Sequence, residues 1–343
     1  MSAVRRASLR AARSGPGDLL LRVLDRLMPA APGSFAVLTY HRVDHPGAKP
    51  WLYPPLLSAT PASFEAQMEM VRRRYRPVSV EELLASYDGS RPLPPRCVLV
   101  TFDDAYQSFA ENAWPILRRL GIPATLFVPT GFPDCAVASF WWDRVYASIM
   151  LTADLRPVAK EIGLEPTASP ARRERAAMSL VEQCKSMPHH EALTTVKEIC
   201  DRLGRTEFAS DILGWGDLRE LARDGVHLAP HSRSHPLLTK ISAEEVHAEM
   251  SGSQTDLSRQ IQGGAASVVN DVFAYPAGDY DPVVVRLARA TGFKVAFTTK
   301  RGTNRLGRTD PLRLRRINVS SRATPSVIRG EFAIGALIEQ VAG

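Results

Sequence analysis

The stretch CVLVTFDDAY, residues 97–106, ends an apolar, β-branched run on two adjacent aspartates, Asp103 and Asp104. A short continuous apolar run of this kind reads as a buried strand. Two neighbouring carboxylates at its end raise each other's pKa unless a cation or a hydrogen-bond network holds them. The pair therefore marks a place where the chain needs charge at the edge of its core.

Outward from this strand, apolar runs alternate with helical patterns. FAVLTYH (35–41), ATLFVPT (124–130), VHLAPH (226–231), DVFAYPAG (271–278) and KVAFTT (294–299) read as strands. TPASFEAQMEMVRRRY (60–75) opens on a Thr or Ser cap and spaces Phe64, Met68 and Val71 as one helix face. NAWPILRRLG (112–121) and DLRELARDG (217–225) stop at Gly121 and Gly225, and 244–261 and 282–292 are further helices. Repeated strand–helix units imply an α/β chain with a parallel sheet, and their number favours a closed or nearly closed barrel. In such folds functional groups gather at the C-terminal strand ends, where Asp103, Asp104 and His231 fall.

Three segments are expected. Residues 1–34 form a basic amphipathic start, 35–133 and 215–343 the barrel, and 134–214 a mainly helical insertion capping the barrel. The first 30 residues hold six arginines against Asp18 and Asp25, net +4 of the chain's +7. The body, with the remaining +3, carries no nucleic-acid footprint. GDLLLRVLDRLMP (17–29) has the pattern of a short amphipathic helix, which either packs on the domain or makes peripheral contact with an anionic membrane. No run of 18 apolar residues and no clean export signal are seen, so the cytoplasm, or the inner face of the membrane, is the expected location. Cys97, Cys135, Cys184 and Cys200 have neither zinc-knuckle nor disulfide spacing.

HSRSH (231–235) supplies the cation partner for the aspartates. His231 and His235 are four apart, so one turn or tight loop aims both imidazoles at one point. Two histidines and one carboxylate form a common protein ligand set for catalytic zinc. With one aspartate on the metal, the other is free to take a proton from metal-activated water.

These residues resemble the polysaccharide deacetylases, carbohydrate esterase family four, also called the nodulation-type deacetylase homology domain. Thr101-Phe102-Asp103-Asp104 corresponds to its first motif and His231-Ser232-Arg233-Ser234-His235 to its second. The resemblance implies a distorted (β/α) barrel with Asp103 as general base. Asp104, His231 and His235 would hold a divalent metal, zinc first with cobalt or nickel as alternatives, and Ser232 would brace the loop. FAYPAG (273–278) aligns with a third motif, usually Arg-x-Pro-Tyr-Gly, which puts the oxyanion-binding N–H on Ala277 and leaves Ala274 where an arginine usually orients the base. Arg42, Arg315 and Arg316 are the substitutes weighed for that arginine. The family's late general-acid histidine is absent from LRLRRINV (312–319). The poly-N-acetylglucosamine branch takes it instead from a YHxV strand, and LTYHRV (38–43) makes His41 the corresponding acid.

The resemblance implies removal of N-acetyl groups from an amino-sugar glycan or a lipid- or nucleotide-linked precursor. An O-acetyl esterase, a small-amide hydrolase and a sugar-binding homologue with weak turnover are the alternatives. Trp141, Trp142 and Tyr275 are candidates for a wall that stacks on sugar rings, against the alternative that the tryptophans anchor the insertion on the barrel.

Overall fold

The computed structural model describes residues 31–135, 139–165, 167–261 and 268–341. The basic segment 1–30, with its expected amphipathic helix and membrane contact, lies outside the described residues. No helix among those described is long and apolar enough to cross a membrane.

Strands β1 (Ser34–Tyr40), β2 (Arg42–Val43) and β3 (Leu57–Ala59) come first. Helix α1 (Pro61–Arg74) follows, its N-terminus closed by the Thr60 side chain accepting from the Ser63 N–H, and it buries Phe64, Met68 and Val71. After β4 (Arg76–Pro77), helix α2 (Val80–Tyr87) opens with a reciprocal Ser79/Glu82 capping box. Strand β5 (Cys97–Phe102) leads to α3 (Trp114–Leu120), which ends on Gly121 in the left-handed conformation at φ 64°. The turn preceding α3, Phe109–Ala113, is π-helical, just ahead of Pro115, which has no N–H to donate.

Between β6 (Thr125–Val128) and β7 (His227–Pro230) lie α4 (Trp141–Leu151), α5 (Pro170–Ser186), α6 (His189–Arg202) and α7 (Trp215–Arg223). Helices α4, α5 and α6 share the apolar cluster that covers the outer face of the sheet, so the inserted segment packs on the barrel. The remaining elements are α8 (Ala243–Gln260), β8 (Val272–Ala274), α9 (Pro282–Ala290), β9 (Val295–Arg301), β10 (Asn304–Arg305), β11 (Leu314–Asn318) and α10 (Pro325–Val341).

The main sheet runs β7-β6-β5-β1-β11-β9-β8 with every neighbouring pair parallel. Among the described residues its two ends meet at a bridge, Leu228 with Val268, where the Val269 N–H donates to the Leu228 carbonyl at 2.9 Å. The result is a nearly closed barrel of seven strands with β4 and β10 as short additions.

Successive strand residues alternate between two apolar clusters, as the pleat requires. Ala36, Leu38 and Tyr40 of β1, with Val98, Val100 and Phe102 of β5, join the cluster shared with the helices. Phe35, Val37, Cys97, Leu99, Phe127, Ala229, Val272, Ala274, Val295, Phe297 and Leu314 form another, which is the barrel interior, joined by Val80 and Leu83 of α2. Two residues onward along the interior series come Thr39 and then His41 on one strand, and Thr101 and then Asp103 on another. The same step takes Ala229 to His231 and Leu314 to Arg316. The Thr39 and Thr101 hydroxyls lie 3.2 Å apart, a polar layer between the apolar interior and the charged groups above it. The site is therefore the continuation of the barrel's own inward-facing register.

After β8 the chain turns through Ala277 and Gly278, both left-handed at φ 52° and 70°. A Cβ on Gly278 would collide with the backbone N and side chain of Thr299. Gly278→Ala should therefore lower stability by about 1–3 kcal/mol, read from the denaturant midpoint. A midpoint equal to that of the wild type would show that the turn accommodates a side chain.

Candidate active site

Strand β5 pairs with β1 to its last residue, Tyr40 opposite Phe102, and the Asp103 N–H then donates to the Tyr40 carbonyl at 3.0 Å. Beyond that bond the backbone turns sharply, with Asp104 at φ 74° and Ala105 at φ 53°. Left-handed torsions at two consecutive non-glycine residues are costly and persist only where the surroundings enforce them. The two acids, 3% and 2% exposed, have separate partners.

Asp103 is gripped by Arg316 of β11. Its Nη1 donates to Oδ1 at 2.8 Å and its Nη2 to Oδ2 at 2.7 Å, while Nε donates to the Thr298 carbonyl at 2.9 Å. Arg316 is wholly buried, its guanidinium about equally distant from the Phe127 and Phe297 rings. Such a two-point fork fixes a carboxylate in direction as well as charge. Burial raises the Asp103 pKa, but Arg316, with help from His231, outweighs it and holds the carboxyl below the usual range. Of the three arginines weighed from sequence, Arg316 is the one that grips Asp103. Arg42 is instead buried over the Tyr106 ring at 5.8 Å.

Asp104 faces the histidines. Its Oδ1 lies 3.4 Å from His231 Nε2 and 3.3 Å from His235 Nε2. One ligand atom from each of the three residues falls within 4.8 Å of the others. The Asp104 Oδ1 is buried without a hydrogen-bond partner, and an anionic oxygen left so between two imidazole nitrogens fits a cation. The opposite nitrogen of His231, Nδ1, sits 2.7 Å from the Ala274 carbonyl, which accepts its proton and so turns Nε2 towards Asp104 as a lone-pair donor. Within the loop, the His235 N–H donates to Ser232 Oγ at 3.0 Å, the bracing expected of Ser232.

His41, half-buried, follows β1, and its N–H donates to Ser58 Oγ at 2.9 Å. Burial lowers the imidazole pKa; Asp104 and Asp103 act in the opposite sense without cancelling the shift. Ala277 is exposed in the turn after β8, three residues past the Ala274 carbonyl that holds His231.

For Trp142 and Tyr275 the expected aromatic wall is corrected. Trp142 is 7% exposed, and its ring packs edge-to-face on His235 at 4.9 Å and stacks on Phe140 at 4.5 Å. Its Nε1–H donates to the Tyr106 hydroxyl at 3.2 Å, and that hydroxyl donates to Asp143 Oδ2 at 2.9 Å. Trp142 thus packs against a histidine of the candidate metal site rather than lining a sugar path. Trp141 is partly buried against the same core. Tyr275 is wholly buried in a third cluster with Phe273 and Val284, its hydroxyl donating to the Leu312 carbonyl at 3.0 Å. Sequence reading did not pick out Tyr106 and Asp143. Burial pushes the Asp143 pKa up to about 7, partly offset by the Tyr53 N–H, Arg42 and the Tyr106 hydroxyl.

A sequence model of the family described as polysaccharide deacetylase matches residues 90–165 and 175–296, more than half of the chain. The chain belongs to the polysaccharide deacetylase family. Among relatives, the poly-beta-1,6-N-acetyl-D-glucosamine N-deacetylase of Escherichia coli K12 is 32% identical over 98 residues, 28% of this chain and 14% of that protein. The Staphylococcus aureus N315 protein of the same name is 32% identical over 74 residues, 22% of this chain and 26% of that one. The chain therefore spans only a small part of these two curated relatives. Two solved deacetylase-family folds align along most of their length. Streptococcus pyogenes deacetylase PplD, in complex with acetate, aligns with a TM-score of 0.58 at 18% identity, covering 87% of this chain and 97% of that one. IcaB from Ammonifex degensii gives 0.56 at 19%, covering 90% and 98%. These likenesses establish the barrel as that of the family.

Because Arg316 lowers the Asp103 pKa, removing it raises that pKa. The acid limb of the kcat/KM–pH profile should move to higher pH in Arg316→Ala, and less in Arg316→Lys, which keeps the charge but not the fork. A limb unmoved in both variants would show that Arg316 does not set the acid limb through Asp103.

Proposed function

We propose that the protein is a metal-dependent de-N-acetylase acting on an amino-sugar glycan or glycan precursor. The observation that carries this reading is the separation of the two adjacent acids. Asp104 joins His231 and His235 in one ligand set, while Asp103 is held ionised by Arg316 outside that set. A sugar-binding barrel without turnover needs no such free base. The names of the E. coli and S. aureus relatives favour N-acetylglucosamine polymers as the substrate class.

Zinc is the metal we favour, since two imidazole nitrogens and one carboxylate oxygen are a donor set it takes in hydrolytic sites. Bound there, it would polarise the acetyl carbonyl and make water more acidic. The remaining work falls to the chain. Asp103, aimed by the Arg316 fork, accepts the proton from the attacking water. The Ala277 N–H donates to the oxygen that gains charge as the carbonyl carbon becomes tetrahedral. His41 hands its proton to the departing nitrogen. The products are acetate and a free amino sugar.

An O-acetyl esterase would use the same base and cation site but depends less on a proton donor, because an alkoxide leaves more readily than an amine anion. Acetate release should therefore be seen from oligomers of β-1,6-N-acetylglucosamine and not from O-acetylated xylan. His41→Ala should slow the amide reaction by about 10²- to 10⁴-fold with the metal still bound. Near-normal amide turnover in that variant would remove His41 from the acid role, and release from xylan alone would make the protein an esterase.

A further inference from the structure

The loop that carries both histidines is held from outside by helix α8. Two of its residues, Ser232 at φ 62° and His235 at φ 56°, adopt left-handed torsions that non-glycine residues rarely take. Such a loop keeps its shape only if its surroundings impose it. Successive amides within it are accounted for individually. Glu249 Oε2 accepts the Arg233 N–H at 2.7 Å and the Ser234 N–H at 2.9 Å, and Oε1 accepts the Ser234 hydroxyl at 2.6 Å. The next amide, that of His235, is the one closed by Ser232 Oγ. Two loop carbonyls are tied on the β6 side, Ser232 to the Thr130 N–H at 3.0 Å and Arg233 to the Gly131 N–H at 2.9 Å.

Arg233 completes the attachment. Its side chain crosses α8 at Gly252, where a Cβ would run into its Cδ. Beyond the glycine its Nε donates to Asp256 Oδ2 at 2.9 Å, and the same oxygen accepts from the Thr130 hydroxyl at 2.9 Å. Glu249, Gly252 and Asp256, spaced three and four apart, lie on one helix face. One carboxylate takes the loop amides, the glycine makes room for the arginine stem, and a second carboxylate ties the arginine to the end of β6.

We propose that this face of α8 is a template for the metal loop, with Glu249 as a positioning residue for His235. By accepting three donors from Arg233 and Ser234, two of the three residues between the histidines, Glu249 keeps the His235 Nε2 at the point it shares with Asp104 Oδ1. This inference rests on the reading of Asp104, His231 and His235 as the metal site.

The test is calorimetric titration of zinc into the full chain, alongside the melting temperature of each metal-free protein. Asp104→Asn should abolish binding. Glu249→Ala should weaken it by about 10- to 100-fold and Glu249→Gln by less, since the amide oxygen still accepts. Gly252→Ala keeps the carboxylate and improves local helix propensity, yet displaces Arg233. It should hold or raise the metal-free melting temperature while weakening zinc binding. A purely structural role would lower the metal-free melting temperature and leave the affinity of the folded protein unchanged. That result, or affinities within twofold of wild type in both variants, overturns the template. Should Glu249→Ala not fold, Gly252→Ala decides by the same two readouts. If wild type fails to bind zinc, or Asp104→Asn binds it equally well, the reading of the site fails instead.

Discussion

A guanidinium and a carboxylate sealed from water, Arg316 and Asp103, make the contact on which the head of the barrel depends. Burying either charge alone would be costly, and breaking such a pair from one side typically costs about 3–5 kcal/mol. Together they resolve the difficulty posed by two adjacent acids at the end of a buried strand. Asp103 is neutralised from β11, across the barrel axis from the histidines, and Asp104 is left to the imidazoles. The left-handed turn at Asp104 and Ala105 lets neighbouring side chains serve different partners.

The same arrangement follows from the pleat. The barrel interior is apolar through Phe35, Val37, Leu99, Phe127, Phe297 and Leu314, then hydroxylic at Thr39 and Thr101, then charged at Asp103 and Arg316. Charges in this position sit against a rigid apolar floor, so the fork that aims Asp103 has little room to drift. Around it the strand ends supply the rest. The Ala274 carbonyl of β8 fixes the His231 tautomer, and Trp142, at the start of α4, packs against His235. The inserted helices thereby contribute to the inner structure of the site.

Much of this was legible in the residues. The continuous run 97–102, the Thr60 cap and the Gly121 stop are local signals, and each element lies where its signal places it. The two motifs located Asp104, His231 and His235 because type and spacing are themselves local. Which arginine reaches Asp103 was not local, since Arg42, Arg315 and Arg316 all lie in strands. A parity count along LRLRR offers the missing signal. Leu314 faces the interior, so Arg316 does too, while Arg315 points outward and is exposed. The same count along VFAY turns Tyr275 away from the interior that Val272 and Ala274 face, while for Trp142, on a helix, no such count was available. An aromatic residue near a site stacks on a ligand or on its neighbours according to what covers it, and here that cover comes from residues far away in sequence.

The division of labour between the adjacent acids is tested most directly by anomalous diffraction at the zinc edge from crystals of the zinc-loaded protein. The account predicts one strong peak about 2.0–2.2 Å from Asp104 Oδ1, His231 Nε2 and His235 Nε2, with Asp103 outside the coordination shell and still forked by Arg316. A peak ligated by Asp103 with that fork broken, or no peak between the three residues, would contradict it.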